Sequence, residues 1–447
     1  MMASPVAHVS PPRAAVARRL AGPAASFPDL TPVSHEFAEL EGRDQRLATH
    51  IVRLALQRWL TLEHLLDQFC RPRFARLEPS LRGVLLSAAA QIVFMDRQPA
   101  HAVVGESVEL ARSLVRPAAA GLVNAVLRRL SELVVHPFDT EPWSAAEDRL
   151  PLASGSVRLV KPCLPPTQDW PRHLSIATSH PIDLVESWRG NFGGHRALQL
   201  CLHDIQAPPT VVAVEQGWER SGEPAACAAH EQEGFVVWEG TSPELSAFVA
   251  AHPDRRVQDP GTARAVRASA LIAQPRRILD FCAGRGTKTA QLASVFREAR
   301  IVATEVNPQR QEALRRRFAG SDRVVVVEPE QAVAGHERFD LVLLDVPCSN
   351  TAVLGRRPEA RYRMRPRTVR SLVDLQRRIA RQAVPLAEAD GLVVYSTCSL
   401  EQGENAAQLF WLSENLGLQC LESQMHFPSG SGRTYSDGCF YAVMRKS

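Results

Sequence analysis

Apolar residues recur at three- and four-residue steps through the first third of the chain and switch to short β-rich runs in the last. Between residues 44 and 70, Leu47, Ile51, Leu54, Ala55, Leu62, Leu65, Leu66 and Phe69 follow the helical period. Three more apolar runs, 81–94, 102–115 and 121–133, are separated by Pro99 and Pro117, and the last keeps Arg128 and Arg129 on its polar side. Several helices with short connections predict a compact all-α domain over 36–135. Residues 1–35, rich in Ala, Pro, Ser and Arg, read as a flexible tail, with a transit peptide as the alternative. Six prolines and little periodicity mark 136–170 as a linker.

A mixed pattern follows over 171–257. Helices are expected at 184–192 and 243–251 and strands at 210–214 and 235–239, which makes a small α+β subdomain. From 258 to 447 strand patterns at 277–281, 300–305, 323–327, 341–345 and 392–395 alternate with helical ones at 309–318 and 372–389, and a late strand pair is expected near 418–425 and 439–445. Strand–helix alternation predicts a parallel, doubly wound α/β sheet of Rossmann type.

The 447-residue length allows two to four domains. No apolar run reaches the roughly 18 residues of a membrane helix, and no signal peptide pattern is visible. Nine cysteines, widely spaced and without a C-x-x-C pair, argue against a disulfide framework or a zinc ribbon and for a reducing, cytoplasmic setting. The net charge of +4 points only weakly to a polyanion. Of 52 basic residues only Lys161, Lys288 and Lys446 are lysine. A lysine inside a glycine loop therefore invites a specific role.

That loop follows the first strand of the α/β region: Asp280-Phe281-Cys282-Ala283-Gly284-Arg285-Gly286-Thr287-Lys288-Thr289. A glycine turn opening a helix lets a ligand approach free backbone N–H groups. Thr287 before the lysine removes a Walker A reading, and Thr289 where a third glycine belongs weakens a dinucleotide reading. Glu305, ending the second strand, can accept from ribose hydroxyls. Loop and acid together fit a nucleoside-bearing cofactor, S-adenosylmethionine first. After the third strand Glu328 is the matching acid, with Glu330 as the alternative.

The fourth strand runs into Asp345-Val346-Pro347-Cys348-Ser349 and the fifth into Ser396-Thr397-Cys398-Ser399. In strand order 3-2-1-4-5 both cysteines and Asp345 reach one rim beside the glycine loop. One chemistry needs this set. Carbon 5 of a pyrimidine becomes enamine-like and accepts a methyl group when a thiolate adds at carbon 6. An acid at nitrogen 3 can stabilise the ring, and a second thiol can help release the enzyme. The base must be unstacked, because carbon 6 is approached from the ring face.

Two sets of residues carry a family resemblance. Gln98-Pro99-Ala100-His101-Ala102 with Glu106 and Val108, then Gly121-Leu122-Val123-Asn124-Ala125-Val126-Leu127-Arg128, resembles the NusB-type RNA-binding helical domain. D-x-P-C-S at 345–349, Arg356-Arg357-Pro358-Glu359, Y-S-T-C-S-L-x-x-x-E-N at 395–405 and Asp437-Gly438-Cys439-Phe440-Tyr441-Ala442 resemble the RsmB (Sun, Fmu) type of RNA cytosine-5 methyltransferase. The resemblance covers roughly 40–447 apart from the linker. It implies S-adenosylmethionine, a small-subunit ribosomal RNA substrate, no metal, no membrane and a monomer. It also implies Cys398 as nucleophile, Cys348 in product release and Asp345 on cofactor and base. The family's usual C-A-A-P-G-G-K-T is altered here at 284, 285 and 287, S-x-T-G becomes Ser349-Asn350-Thr351-Ala352, and the R-P-P segment becomes Ala207-Pro208-Pro209. The altered loop leaves open an RNA-binding protein that has lost turnover. The motifs also leave open the same chemistry on transfer RNA or another RNA.

Overall fold

A computed structural model describes residues 9–34, 37–214 and 224–446. The chain divides into two compact units: Met1–Ala207 with Leu354–Arg365, and Pro208–Val353 with Pro366–Ser447.

The first unit is helical: α1 (Pro11–Ser26), α2 (Gly42–Gln57), α3 (Trp59–Leu66), α4 (Pro79–Phe94), α5 (Ala100–Leu110) and α6 (Ala119–Leu133). Their apolar faces close one core containing Leu20, Ile51, Trp59, Leu85, Val93 and Leu127. α1 corrects the flexible-tail expectation. Val16, Leu20 and Ala24 repeat at four-residue steps and are fully buried, a stripe that the surrounding Ala, Pro and Arg conceal. Residues 1–8 and 35 of that expected tail, and residue 36 of the expected helical domain, lie outside the described residues. The run 44–70 is two helices. It breaks at Arg58, which is buried and donates from Nη2 to Pro151 O at 2.7 Å.

Pro151 belongs to a hairpin, β1 (Arg149–Pro151) and β2 (Ser156–Arg158), inside the stretch expected to be a linker. Leu150, Val157, Leu159 and Leu164 pack into the same core, so 136–170 is part of the unit. So are α7 (Trp170–Thr178), α8 (Ile182–Phe192) and α9 (Gly194–His203), which moves the boundary from 170 to 207. The outlying segment Leu354–Arg365 is held by Arg361, which donates to Gln57 O and Asp204 O, and by Tyr362, whose hydroxyl donates to Leu56 O at 2.7 Å.

The second unit begins with β3 (Thr210–Ala213), β4 (Cys227–Ala229), β5 (Phe235–Trp238), α10 (Ser242–Ala250) and β6 (Arg256–Val257). The four strands form an antiparallel sheet ordered β4-β5-β3-β6. The large sheet then alternates with helices: α11 (Pro260–Ile272), β7 (Arg277–Asp280), α12 (Thr287–Val295), β8 (Arg300–Thr304), α13 (Pro308–Arg317), β9 (Val324–Val327), α14 (Pro329–Ala334), β10 (Phe339–Asp345), α15 (Pro366–Ala383), β11 (Ala387–Thr397), α16 (Ala406–Leu416), β12 (Leu418–His426) and β13 (Cys439–Lys446).

Seven strands run β12-β13-β11-β10-β7-β8-β9. β7 to β11 are parallel in the expected order, and the last two add antiparallel. Alternate residues serve opposite faces: Ile278, Ile301 and Leu343 on one, Leu279, Val302 and Leu344 on the other. The helix expected at 372–389 ends at Ala383, and Ala387 already pairs with Phe339 in the ladder. No helix among the described residues is long and apolar enough to cross a membrane.

Candidate active site

The carboxyl ends of β7, β8, β10 and β11 meet at one rim. After β7 the backbone turns through Gly284 (φ 59°) and Gly286 (φ 83°) into α12. Both glycines are required for conformation, and Gly286 also for space: a Cβ there would lie 2.6 Å from Leu314 Cδ1 and 2.8 Å from Phe318 Cε2. Thr287, the family's second glycine position, is the first helical residue and lies outside the left-handed region, so its side chain fits without strain. Two further bonds fix the turn. Ala283 N donates to Thr304 O at 2.9 Å, and Gly286 N donates to Ala283 O at 2.9 Å.

Asp280 stands beneath this turn, wholly buried. Its Oδ2 accepts from Thr289 Oγ1 at 2.7 Å, while Oδ1 has no protein partner. Burial pushes its carboxyl up to about 7, helped by the nearby Asp345 and Glu305 and opposed by the Thr289 bond and Lys288. Glu305 ends the next strand, largely buried, with Oε1 accepting from Asn307 N at 2.8 Å. Glu328 sits at the end of β9, where it accepts from Gln311 Nε2 at 2.7 Å and Arg315 Nη2 at 2.9 Å. Cys282 is partly buried in the turn, and burial among three carboxylates holds its thiol well above the usual range.

The loop's lysine points to the cysteines. Lys288 Nζ lies 2.8 Å from Asp345 Oδ2, and Asp345 Oδ1 accepts from Ser396 Oγ at 3.1 Å. Burial opposes the charge on Lys288, but Asp345 and Cys398 outweigh it and keep the ammonium protonated. Cys398 and Cys348 are neighbours on adjacent strand ends, with Cys398 N donating to Cys348 Sγ at 3.2 Å. A hydrogen bond from the Cys348 thiol lowers the Cys398 thiol, and Lys288 lowers it further, against burial. Cys348 is correspondingly raised. The two thiols are therefore shifted in opposite directions: Cys398 gives up its proton more readily than an ordinary thiol, and Cys348 holds its own more tightly.

Sequence reasoning left the support beneath the cysteines without a role. Glu404 is fully buried. Its carboxylate accepts from Ser349 N at 3.0 Å, Ser399 Oγ at 2.6 Å, Gln376 Nε2 at 2.9 Å and the Ser349 hydroxyl. Gln376, on α15, also donates to Pro347 O at 3.0 Å. Asn405 completes the clamp, donating to Ser399 O at 2.8 Å and accepting from Thr397 Oγ1 at 2.7 Å. The turn after Cys348 is shaped by Asn350 in the left-handed region (φ 64°), whose Nδ2 donates to Cys348 O at 2.9 Å. The E-N pair at the end of the second cysteine motif was the available signal for this clamp.

No group of His, Cys, Asp and Glu that could hold a metal ion occurs among the described residues. The donors at the rim instead fit an adenosyl sulfonium. The glycine turn leaves its backbone open, Glu305 faces it as a hydroxyl acceptor, and Asp280 keeps an unpartnered buried oxygen below.

The family model of the 16S rRNA methyltransferase RsmB/F matches residues 270–426, and that of the NusB family matches 25–132. Ribosomal RNA small subunit methyltransferase B of Thermus thermophilus is 32% identical over 416 residues, covering 90% of this chain and 89% of that protein. The protein of the same name in Xanthomonas campestris is 28% identical, with 91% and 90% covered. Among solved structures, PH0851 covers 98% of this chain and 100% of its own at 19% identity and a TM-score of 0.69. A methyltransferase homologue from Pyrococcus horikoshii covers 62% of this chain and 99% of its own at 19% identity and a TM-score of 0.50. On the shared motifs, the domain matches and the Thermus relative, this chain belongs to the RsmB/Sun family of S-adenosylmethionine-dependent methyltransferases.

Proposed function

We propose that this protein methylates carbon 5 of a cytosine in small-subunit ribosomal RNA through a covalent bond from Cys398. The observation that carries this reading is the polarised thiol pair, Cys398 N to Cys348 Sγ at 3.2 Å, with the Lys288–Asp345 ion pair beside it. Methyl transfer to nitrogen or oxygen needs no thiolate, whereas addition at carbon 6 does.

The open turn at 282–288 and Glu305 would hold S-adenosylmethionine, with Glu328 as the acid of the third strand. When bound, it supplies the methyl group for carbon 5 as an electrophile on sulfonium. The chain's own residues do the rest. Cys398 Sγ bonds to carbon 6 and breaks the 5,6 double bond. Lys288 presents a cation to the ring edge, where negative charge develops, and Asp345 presents an acceptor for the exocyclic amino group. Transfer of the carbon 5 proton to a solvent water then restores the double bond and expels the Cys398 thiolate. Cys348, kept as a thiol, assists this release.

The test is methyl transfer from radiolabelled cofactor to unmodified small-subunit RNA. Cys398→Ala is expected to be inactive. Cys348→Ala is expected to accumulate a protein–RNA adduct that survives denaturing electrophoresis. Full activity in Cys398→Ala would remove the mechanism. Cofactor binding without methylation of any RNA would leave a binding protein, and methylation confined to transfer RNA would replace the substrate.

A further inference from the structure

α15 carries five arginines against one aspartate, a net charge of +4 on 18 residues, in a chain whose whole formal charge is +4. Arg367, Arg370, Arg378 and Arg381 are spaced three, eight and three residues apart. Helical geometry therefore puts them on one face, with Asp374 in the middle of the row. From first to last the row spans about 21 Å at 1.5 Å per residue. All four are exposed. None makes an ion pair among the described residues, whereas Arg297, Arg315 and Arg277 on other elements of the same unit pair with Asp254, Glu328 and Glu388.

The opposite face is fixed. Gln376, Ala380 and Ala383 are buried, and Gln376 bonds Pro347 O and Glu404 beneath the two cysteines. Trp411 on α16 lies under the guanidiniums of Arg377 (5.3 Å) and Arg381 (4.9 Å), which restrains them in place.

We infer that this arginine row is a docking track for the phosphate backbone of the substrate RNA, held in fixed register with the catalytic turn by Gln376. A straight row of planar, permanently charged forks on a rigid helix suits repeated phosphates, each of which guanidinium binds bidentately. Left unpaired, the four charges repel one another, and a polyanion relieves this by releasing its counterions. The inference rests on RNA being the substrate.

The experiment uses the full-length protein and a fluorescein-labelled fragment of unmethylated small-subunit RNA, read by anisotropy across a salt series. With Arg367, Arg370, Arg378 and Arg381 all changed to Gln, Kd is expected to rise at least about tenfold. The slope of log K against log salt should fall by about 0.7 per lost contact on single-stranded RNA. KM for RNA should rise in step while kcat and cofactor affinity stay unchanged. Asp374→Asn, which removes the one negative charge in the row, should tighten binding by about twofold to fivefold. Unchanged Kd and slope in both variants would overturn the track, whether or not RNA is methylated. So would arginine-dependent capture of polyglutamate with no arginine-dependent RNA affinity, which would make the row a site for an acidic protein. RNA binding that follows the row without any methylation would instead sink the enzymatic reading and leave the track standing.

Discussion

Lys288 Nζ sits 2.8 Å from Asp345 Oδ2, so a residue in the first turn of the glycine-loop helix is bonded to the residue that ends the fourth strand. With the hydrogen bond from Cys348, the same ammonium helps to lower the Cys398 thiol. One lysine therefore ties the proposed cofactor turn to the proposed nucleophile, which explains why a chain that uses arginine almost everywhere keeps a lysine here. A compact ammonium fits where a planar guanidinium fork would not.

Lys288→Met removes that cation. Cys398 should then lose nucleophilicity near neutral pH, and Asp345, half-buried beside it, would keep only the Ser396 hydroxyl as a partner. The expected outcome is a shift to higher pH in the rate of iodoacetamide labelling of Cys398, followed by mass spectrometry. In the wild type that midpoint should lie below the ordinary thiol value of about 8.5. Methyl transfer at pH 7 should fall by at least about tenfold, because less of Cys398 is ionised at that pH. An unchanged labelling profile would show that Cys348 alone sets the charge on Cys398.

Glu404 joins the two cysteine turns from below. Glu404→Ala leaves the Ser349 amide, the Ser399 hydroxyl and Gln376 without their shared acceptor in a dry site. The expected cost is about 2–4 kcal/mol of stability, measured by chemical denaturation. Glu404→Gln keeps one acceptor oxygen and the side-chain volume, so it should lose less stability. Its activity should still drop, because the amide nitrogen faces donors and pushes the two turns apart. Equal stability in all three proteins would mean that the clamp is set by Asn405 and the strands.

Much of the second unit was legible because its signals are local. Asp280 to Thr289 spells a strand, a glycine turn and a helix start, and the two cysteine motifs close strands that the β/α order makes neighbours. What sequence could not show was burial. Glu404 reads as one more surface acid until the fold removes water from it. Pro11–Ser26 reads as tail because its buried stripe is made of only Val16, Leu20 and small alanines. Residues 136–170 read as linker because a three-residue hairpin is too short to show a period. Ala387, Glu388 and Ala389 favour a helix on their own, and the pairing of Ala387 with Phe339 at the start of β11 overrides that preference.

The loop's departures from its family pattern make a separable prediction. Gly284→Ala adds a methyl into open space at φ 59°, so only the left-handed penalty applies, about 1 kcal/mol. Gly286→Ala meets that penalty and also drives a methyl into Leu314 and Phe318, for about 2–4 kcal/mol in all. Thr287→Gly, which restores the family residue, should not stabilise the protein, since Thr287 is helical and unstrained. Denaturant midpoints order the three variants. A gain in stability for Thr287→Gly would contradict the backbone assigned to this turn.

Asp280 gives the protein an unusual pH dependence. Carboxylates that are ion-paired or hydrogen-bonded in a folded protein are usually depressed and stabilise the fold as pH rises. Burial instead lifts Asp280 to about 7, above the unfolded carboxylate value of about 3.9. Between those two values the folded chain holds a proton that the unfolded chain has released. Its contribution is therefore complete below pH 4 and is lost as pH climbs through about 7. Asp280→Asn keeps an oxygen for the Thr289 hydroxyl and cannot ionise. Its stability should accordingly change less than that of the wild type between pH 5 and pH 8, with the two proteins closest at the acid end. Urea denaturation at both pH values measures the difference. Parallel behaviour of the two proteins would mean that Asp280 stays ionised throughout, held by Lys288 and by solvent reaching its unpartnered oxygen.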